Sequence, residues 1–135
     1  VQIKKGIIMT EAQLEHVNVT CADPDHTAKM LVELFGWHIR WSGAAKNGGY
    51  TVHVGTDAHY IALYRPLGDL VVGVDTYHSL SSVNHIGVIV PDLEQADQNI
   101  TAAGYTTYSH QDYEPGRRFY FRDHDNIEYE VVSYR

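Results

Sequence analysis

Glu15-His16-Val17-Asn18-Val19 near the start of the chain and Asn84-His85-Ile86-Gly87-Val88 at the start of its second half are one pattern written twice. Each places a histidine near the start of an apolar strand. Past each copy the order is the same: a helical stretch, a glycine followed by an aromatic residue, and a closing pair of strands. The closing pair covers residues 50–54 and 59–64 in the first half and residues 118–121 and 127–133 in the second. Internal repetition of this kind decides architecture, because each unit is one supersecondary motif that buries its apolar face against its neighbour.

The local signals fill in each unit. Residues 14–20 are rich in β-branched side chains and read as a strand. Asp23 is a helix N-cap with Pro24 at the first helical position, and Ala28, Leu31, Leu34 and Phe35 fall on one helical face before Gly36 stops the helix. A strand over residues 37–41, a loop over 42–49 and the hairpin of 50–54 and 59–64 complete a βαβββ module. The second half repeats it, with a strand at 83–90, a break at Pro91-Asp92, a helix at 93–103 stopped by Gly104, and strands at 105–108, 118–121 and 127–133. The expected fold is α+β, two βαβββ modules forming a curved eight-stranded mixed sheet around a central cleft. Residues 1–13 read as an N-terminal extension, with Met9 a candidate natural start. Residues 14–135 read as one domain, divided into module one (14–65), a connector (66–82) and module two (83–135). The apolar run 70–74 in the connector is expected to pack, and could serve a dimer interface.

At 135 residues the chain suits one domain with a single core. Its formal net charge of −7 sets it against nucleic acid and anionic lipid surfaces. No apolar run is long enough to span a bilayer, and residues 1–11 carry no signal-peptide pattern. One cysteine, Cys21, excludes an intrachain disulfide and fits a cytoplasmic location, with packing rather than nucleophilic attack as its role. Arg117, Arg118 and Arg122 form the one basic cluster, read as solvated strand-end charges or as an anion-holding group. His53, His59, His110 and His124 read as solvent-facing.

Alternation assigns faces. His16 shares its side of the strand with Leu14, Asn18 and Thr20, leaving Val17 and Val19 for the helix; His85 likewise shares a side with Val83, Gly87 and Ile89. In the last strand Glu128 and Glu130 share a face within an otherwise apolar segment. A carboxylate there needs a cationic partner or a metal, since burying it alone is costly. Two neutral imidazoles and one carboxylate are a set that holds Fe(II), Mn(II), Ni(II) or Zn(II) with open positions for substrate.

These residues resemble the vicinal oxygen chelate superfamily, the group of glyoxalase I, extradiol dioxygenases, fosfomycin-resistance enzymes and bleomycin-resistance proteins, over residue 14 to the C-terminus. That family's second module often closes with a DPDGN-like turn ahead of a liganding glutamate. Asp123-His124-Asp125-Asn126-Ile127-Glu128-Tyr129-Glu130 is similar, with His124 for proline and Asn126 for glycine, and Asn tolerates the left-handed backbone such a turn requires. The resemblance implies a divalent metal ion (Fe, Mn, Ni or Zn) held by His16, His85 and Glu130. Ala62 takes the place of the second carboxylate that glyoxalase I uses, which weakens a mechanism needing carboxylates on both sides of the metal. Asn18, Tyr60 and Tyr64 are candidates to line the substrate; no residue is assigned a catalytic role. The implied protein is a metal-dependent enzyme acting on a small oxygenated molecule, working as a homodimer with a small-molecule ligand as its partner. The alternative is a non-catalytic drug-binding protein of the bleomycin-resistance kind, for which the acidic excess and ten tyrosines speak.

Overall fold

A computed structural model describes residues 10–134; the candidate start Met9 and most of the expected N-terminal extension lie outside the described residues. Module one runs β1 (His16–Thr20), α1 (Pro24–Phe35), β2 (His38–Ala44), β3 (Tyr50–Gly55) and β4 (Tyr60–Arg65). Module two runs β5 (Ile86–Ile89), α2 (Leu93–Ala102), β6 (Thr107–Tyr113), β7 (Gly116–Arg122) and β8 (Glu128–Ser133). The eight strands form two four-stranded sheets, β1-β4-β3-β2 and β5-β8-β7-β6, rather than one continuous ladder. Each is mixed in the same way: the first strand lies parallel to the last, and the other pairs are antiparallel. The repeat in sequence is thus a repeat in topology.

Helix ends follow their local chemistry. Asp23 accepts a hydrogen bond from the His26 amide at 3.2 Å, and Asp92 accepts one from the Gln95 amide at 3.0 Å. Each satisfies an amide that the first turn leaves unpaired. Gly36, at φ 70°, ends α1 in the left-handed conformation that costs glycine least.

The helices and the inner sheet faces make one core. Ala28, Leu31, Val52, Val54, Ile100, Phe119, Phe121 and Tyr129 are fully buried, drawn from both modules. Burying one such large apolar side chain is worth about 1.5–3 kcal/mol. Phe35 of α1 meets Phe121 of β7 with ring centroids 6.3 Å apart, so the modules share packing across the repeat. Polar contacts at one end add to this: the Ala22 amide donates to Asp125 at 3.1 Å, and Thr27 Oγ1 bonds His124 Nε2 at 3.1 Å.

Several sequence expectations need correction. β2 extends to Ala44 and β6 to Tyr113, absorbing parts of the expected loops, because cross-strand pairing with β3 and β7 satisfies their backbones. β5 is shorter than expected, beginning after His85. In the connector Val71 and Val72 are 88% and 87% exposed, so the apolar run finds no cover among the described residues of the chain. His53 is not solvent-facing but half-buried, whereas His124 is exposed as expected. His53 stacks on Tyr60 at 4.6 Å, and the His124 ring meets that of His26 at a tilt, 4.3 Å between centroids.

Candidate functional site

Strand register fixes which residues correspond. Asn18 pairs with Ala62 across β1 and β4, and Gly87 pairs with Glu130 across β5 and β8. Counting from each histidine, Ala62 and Glu130 therefore hold equivalent places, as do Tyr60 and Glu128. The same topology carries two different open faces.

Module one presents rings. His16 stacks on Tyr60 at 4.9 Å, His53 on Tyr60 at 4.6 Å, and Trp41 leans on His53 at 5.3 Å. The Arg40 guanidinium covers the Tyr60 ring at 4.3 Å, a cation–π contact. His16 Nδ1 lies 2.9 Å from Glu15, which also accepts from the Tyr60 hydroxyl at 3.2 Å. Those hydrogen bonds lower the Glu15 pKa. Burial lowers that of His53, with the charges of His16 and Arg40 acting the same way.

Module two presents charges. His85 Nε2 lies 3.3 Å from Glu130 Oε1, while Glu130 Oε2 accepts from Arg118 at 2.9 Å and from the Tyr120 hydroxyl at 3.2 Å. Glu128, 5% exposed, accepts from the hydroxyls of Tyr77 and Tyr108 and pairs with Arg122 at 3.3 Å. A carboxylate so deeply placed is tolerable only because its oxygens are taken up in this way. The Glu128 hydrogen bond, then burial, push the Tyr77 phenol up to about 12. For Tyr108, burial comes first and the Glu128 hydrogen bond second, to the same value of about 12.

The sequence-derived ligands thus fall into two groups. His85 and Glu130 are brought together; His16 sits on the other sheet with Glu15, Tyr60 and His53. Among the described residues no three His, Cys, Asp or Glu side chains converge on a point that could hold a metal. Of the three sequence-derived ligands, His85 and Glu130 face one another at 3.3 Å and His16 lies apart from them. Asn18 lines a cavity of about 670 Å³ together with Thr20, His85, Arg122 and Glu128, between the modules. Tyr60 lies in the ring stack. Tyr64 instead donates to the Lys46 carbonyl at 2.6 Å and braces the 45–49 turn.

Each arginine of the basic cluster has a carboxylate partner: Arg117 and Arg122, both about a third exposed, bond Glu94 and Glu128, and the more deeply placed Arg118 bonds Glu130. Cys21 is 1% exposed, and burial pushes its thiol up to about 12, which suits packing and not attack. Sequence reading missed Trp41, Tyr77, Tyr108 and Tyr120 as site residues and placed Arg118 only in the basic cluster, not beside Glu130. For Arg118 and Tyr120 a signal existed, since both share with Arg122 the face of β7 that lies against Glu128 and Glu130. Tyr77 carried none, because it reaches the site from the connector.

The model of the Glyoxalase/Bleomycin resistance protein/Dioxygenase superfamily matches residues 13–131. No curated protein matches the chain in sequence. Among solved structures, a glyoxylase/bleomycin resistance protein/dioxygenase domain from Frankia sp. EAN1pec is 22% identical, with a TM-score of 0.79, over 93% of this chain and 100% of that one. A glyoxalase family protein from Enterococcus faecalis is 15% identical, with a TM-score of 0.72, over 89% and 96%. The fosfomycin resistance protein FosX from Listeria monocytogenes, complexed with Mn(II) and sulfate, is 20% identical, with a TM-score of 0.69, over 92% and 93%.

Proposed function

The chain belongs to the Glyoxalase/Bleomycin resistance protein/Dioxygenase superfamily, and from that membership we propose a metal-dependent enzyme acting on a small oxygenated molecule. The observation that carries the reading is His85 Nε2 facing Glu130 Oε1 at 3.3 Å on an open sheet face. A solvent-accessible imidazole, His16, stands at the equivalent place on the other sheet. Since one chain supplies two donors together and the third apart, the site is completed in a homodimer, His16 of one copy joining His85 and Glu130 of another. A two-fold axis then makes two equal sites. The exposed apolar connector, with Leu67, Val71, Val72 and Leu80, offers a surface for such a contact.

When bound, a divalent cation supplies Lewis acidity toward adjacent oxygens of the substrate. The chain's own residues set the frame. Arg118 and Tyr120 hold Glu130 by one oxygen and leave the other turned to His85. Ala62 brings neither a ligand nor a proton-transfer group to the first module's side, which argues for a substrate that needs no second carboxylate. A free, buried Cys21 fits a cytoplasmic protein.

Metal analysis of protein purified without chelator tests the reading, with about one equivalent per chain expected; less than about a tenth, with no uptake on titration, sinks it. Mixing inactive His16→Ala and Glu130→Ala variants tests the sharing. Recovery of metal binding in the mixture is expected, because one of the two sites in a mixed dimer keeps every ligand; no recovery places the whole site within one chain.

The second reading, a non-catalytic binder of ring-bearing small molecules, is favoured by the row Trp41, His53, Tyr60 and His16. Thermal shift separates the two: stabilisation by divalent metals supports the enzyme, stabilisation by aromatic ligands alone the binder.

A further inference from the structure

Tyr77 belongs to neither module, yet its hydroxyl reaches the centre of the second. The connector there folds on Asp75, whose carboxylate accepts from the Tyr77 amide at 3.0 Å and contacts His78 Nδ1 at 2.8 Å. This turn aims the Tyr77 side chain at module two. Its oxygen lies against Glu128 Oε1 and 3.4 Å from His85 Nδ1.

Hydrogen-bond accounting then fixes the roles. A carboxylate only accepts, so the single Tyr77 proton goes to Glu128. The Tyr77 oxygen is left as acceptor, and His85 Nδ1 must carry the hydrogen that faces it. A neutral imidazole has one N–H, so its Nε2 bears the lone pair, and that lone pair points toward Glu130 Oε1 at 3.3 Å. Two acceptors facing one another repel. A positive centre joins them, either a second proton on the ring or a metal cation.

We propose that Tyr77 is a positioning residue: with Glu128 behind it, its hydroxyl holds His85 as the Nδ1–H tautomer and so presents Nε2 as a donor toward the same point as Glu130. The proposal rests on the reading of His85 and Glu130 as metal ligands. It extends that reading to a chain of three groups, Glu128, Tyr77 and His85, in which a connector residue governs a ligand it does not share a strand with. Outer partners of this kind orient a ligating histidine and set its basicity.

The test uses the full chain, metal-free, with nitrogen NMR of the imidazoles above neutral pH, where the neutral ring is read directly. Wild-type His85 is expected as the Nδ1–H tautomer, and Tyr77→Phe, which keeps the ring and removes the hydroxyl, is expected to shift it toward Nε2–H. Zn(II) affinity measured by calorimetry should fall by about tenfold to a hundredfold in the same variant. Tyr108→Phe removes the other phenol from Glu128 without touching His85 and should leave the tautomer in place. An Nε2–H tautomer in the wild type overturns the proposal, as does a tautomer unmoved by Tyr77→Phe or moved equally by Tyr108→Phe. If the tautomer depends on Tyr77 but wild type binds no Zn(II), the positioning stands and the metal reading fails. Zn(II) binding with a tautomer indifferent to Tyr77 gives the reverse.

Discussion

The two open faces are built on one topology and do opposite things with it. At the place where module two has Glu130, module one has Ala62; where module two has Glu128, module one has Tyr60. A carboxylate on an inner strand recruits cations and donors, and the two glutamates of module two are accordingly surrounded by Arg118, Arg122, Tyr108 and Tyr120 of that module and by Tyr77 of the connector. Without a carboxylate no such recruitment is needed, and module one closes its face by stacking Trp41, His53, Tyr60 and His16. The difference shows that a duplicated scaffold is specialised by one or two positions on its last strand, with the neighbouring strand adjusting to them.

The largest effect expected from breaking this contrast is at Arg118, whose side chain is 11% exposed against a Glu130 side chain that is 14% exposed. Arg118→Ala leaves a largely buried carboxylate short of its cation and should cost about 3 kcal/mol, read by urea unfolding. His53→Ala in module one strands no charge and should cost about 1 kcal/mol in the same measurement. Equal losses would erase the distinction between a charged and a stacked face.

Ala62→Glu writes the missing carboxylate into module one. Ala62 is 1% exposed and its strand neighbours, Asn18 and His53, offer no arginine. The variant should lose about 2 kcal/mol, because the new charge is buried without a partner. A neutral outcome would show that module one already has the means to hold a carboxylate.

Alkaline titration probes the two phenols that meet Glu128. Tyr77 and Tyr108 keep their protons up to about 12, against an ordinary value of 10.0. An acid whose folded pKa is raised favours the folded state less once the unfolded chain ionises. Stability should therefore be intact below pH 10.0 and fall progressively toward about 12. Tyr77→Phe and Tyr108→Phe should each flatten that fall, followed by unfolding at a series of pH values. Phenolate absorbance developing for all tyrosines at the ordinary value would contradict the Glu128 cage.

The smallest effect lies at Gly43. A Cβ there would stand 2.8 Å from Cζ2 of Trp41, so the indole rests on the glycine. Gly43→Ala should shift the Trp41 ring and change its fluorescence while altering stability by less than about 1 kcal/mol. Unchanged emission would mean that the ring row of module one is not seated on the strand below it.

Much of this was legible beforehand. Asp23, Pro24 and Gly36 announce α1, and Asp92 the start of α2, because caps act within a turn or so and depend on nearest neighbours alone. Asn126 adopts the left-handed conformation, φ 66°, expected of it in the closing turn. Alternation put His16 with Asn18 and Glu128 with Glu130, and the observed register puts Ala62 opposite Glu130 in the repeat. The extents of β2, β5 and β6 were less legible, since pairing with a partner strand decides where a strand ends. So were the partners of Arg117, Arg118 and Arg122, each of which meets a carboxylate from another element.

By itself the sequence determined the duplicated βαβββ order, the helix boundaries and the identity of the side chains on each strand face, because these follow from local periodicity and capping. The tertiary structure alone decided that His85 meets Glu130 while His16 stays with Tyr60. It also decided that the apolar connector lies exposed and that Tyr77 swings in from it onto Glu128. Those contacts join segments far apart in the chain, where no spacing rule reaches and packing sets the neighbours.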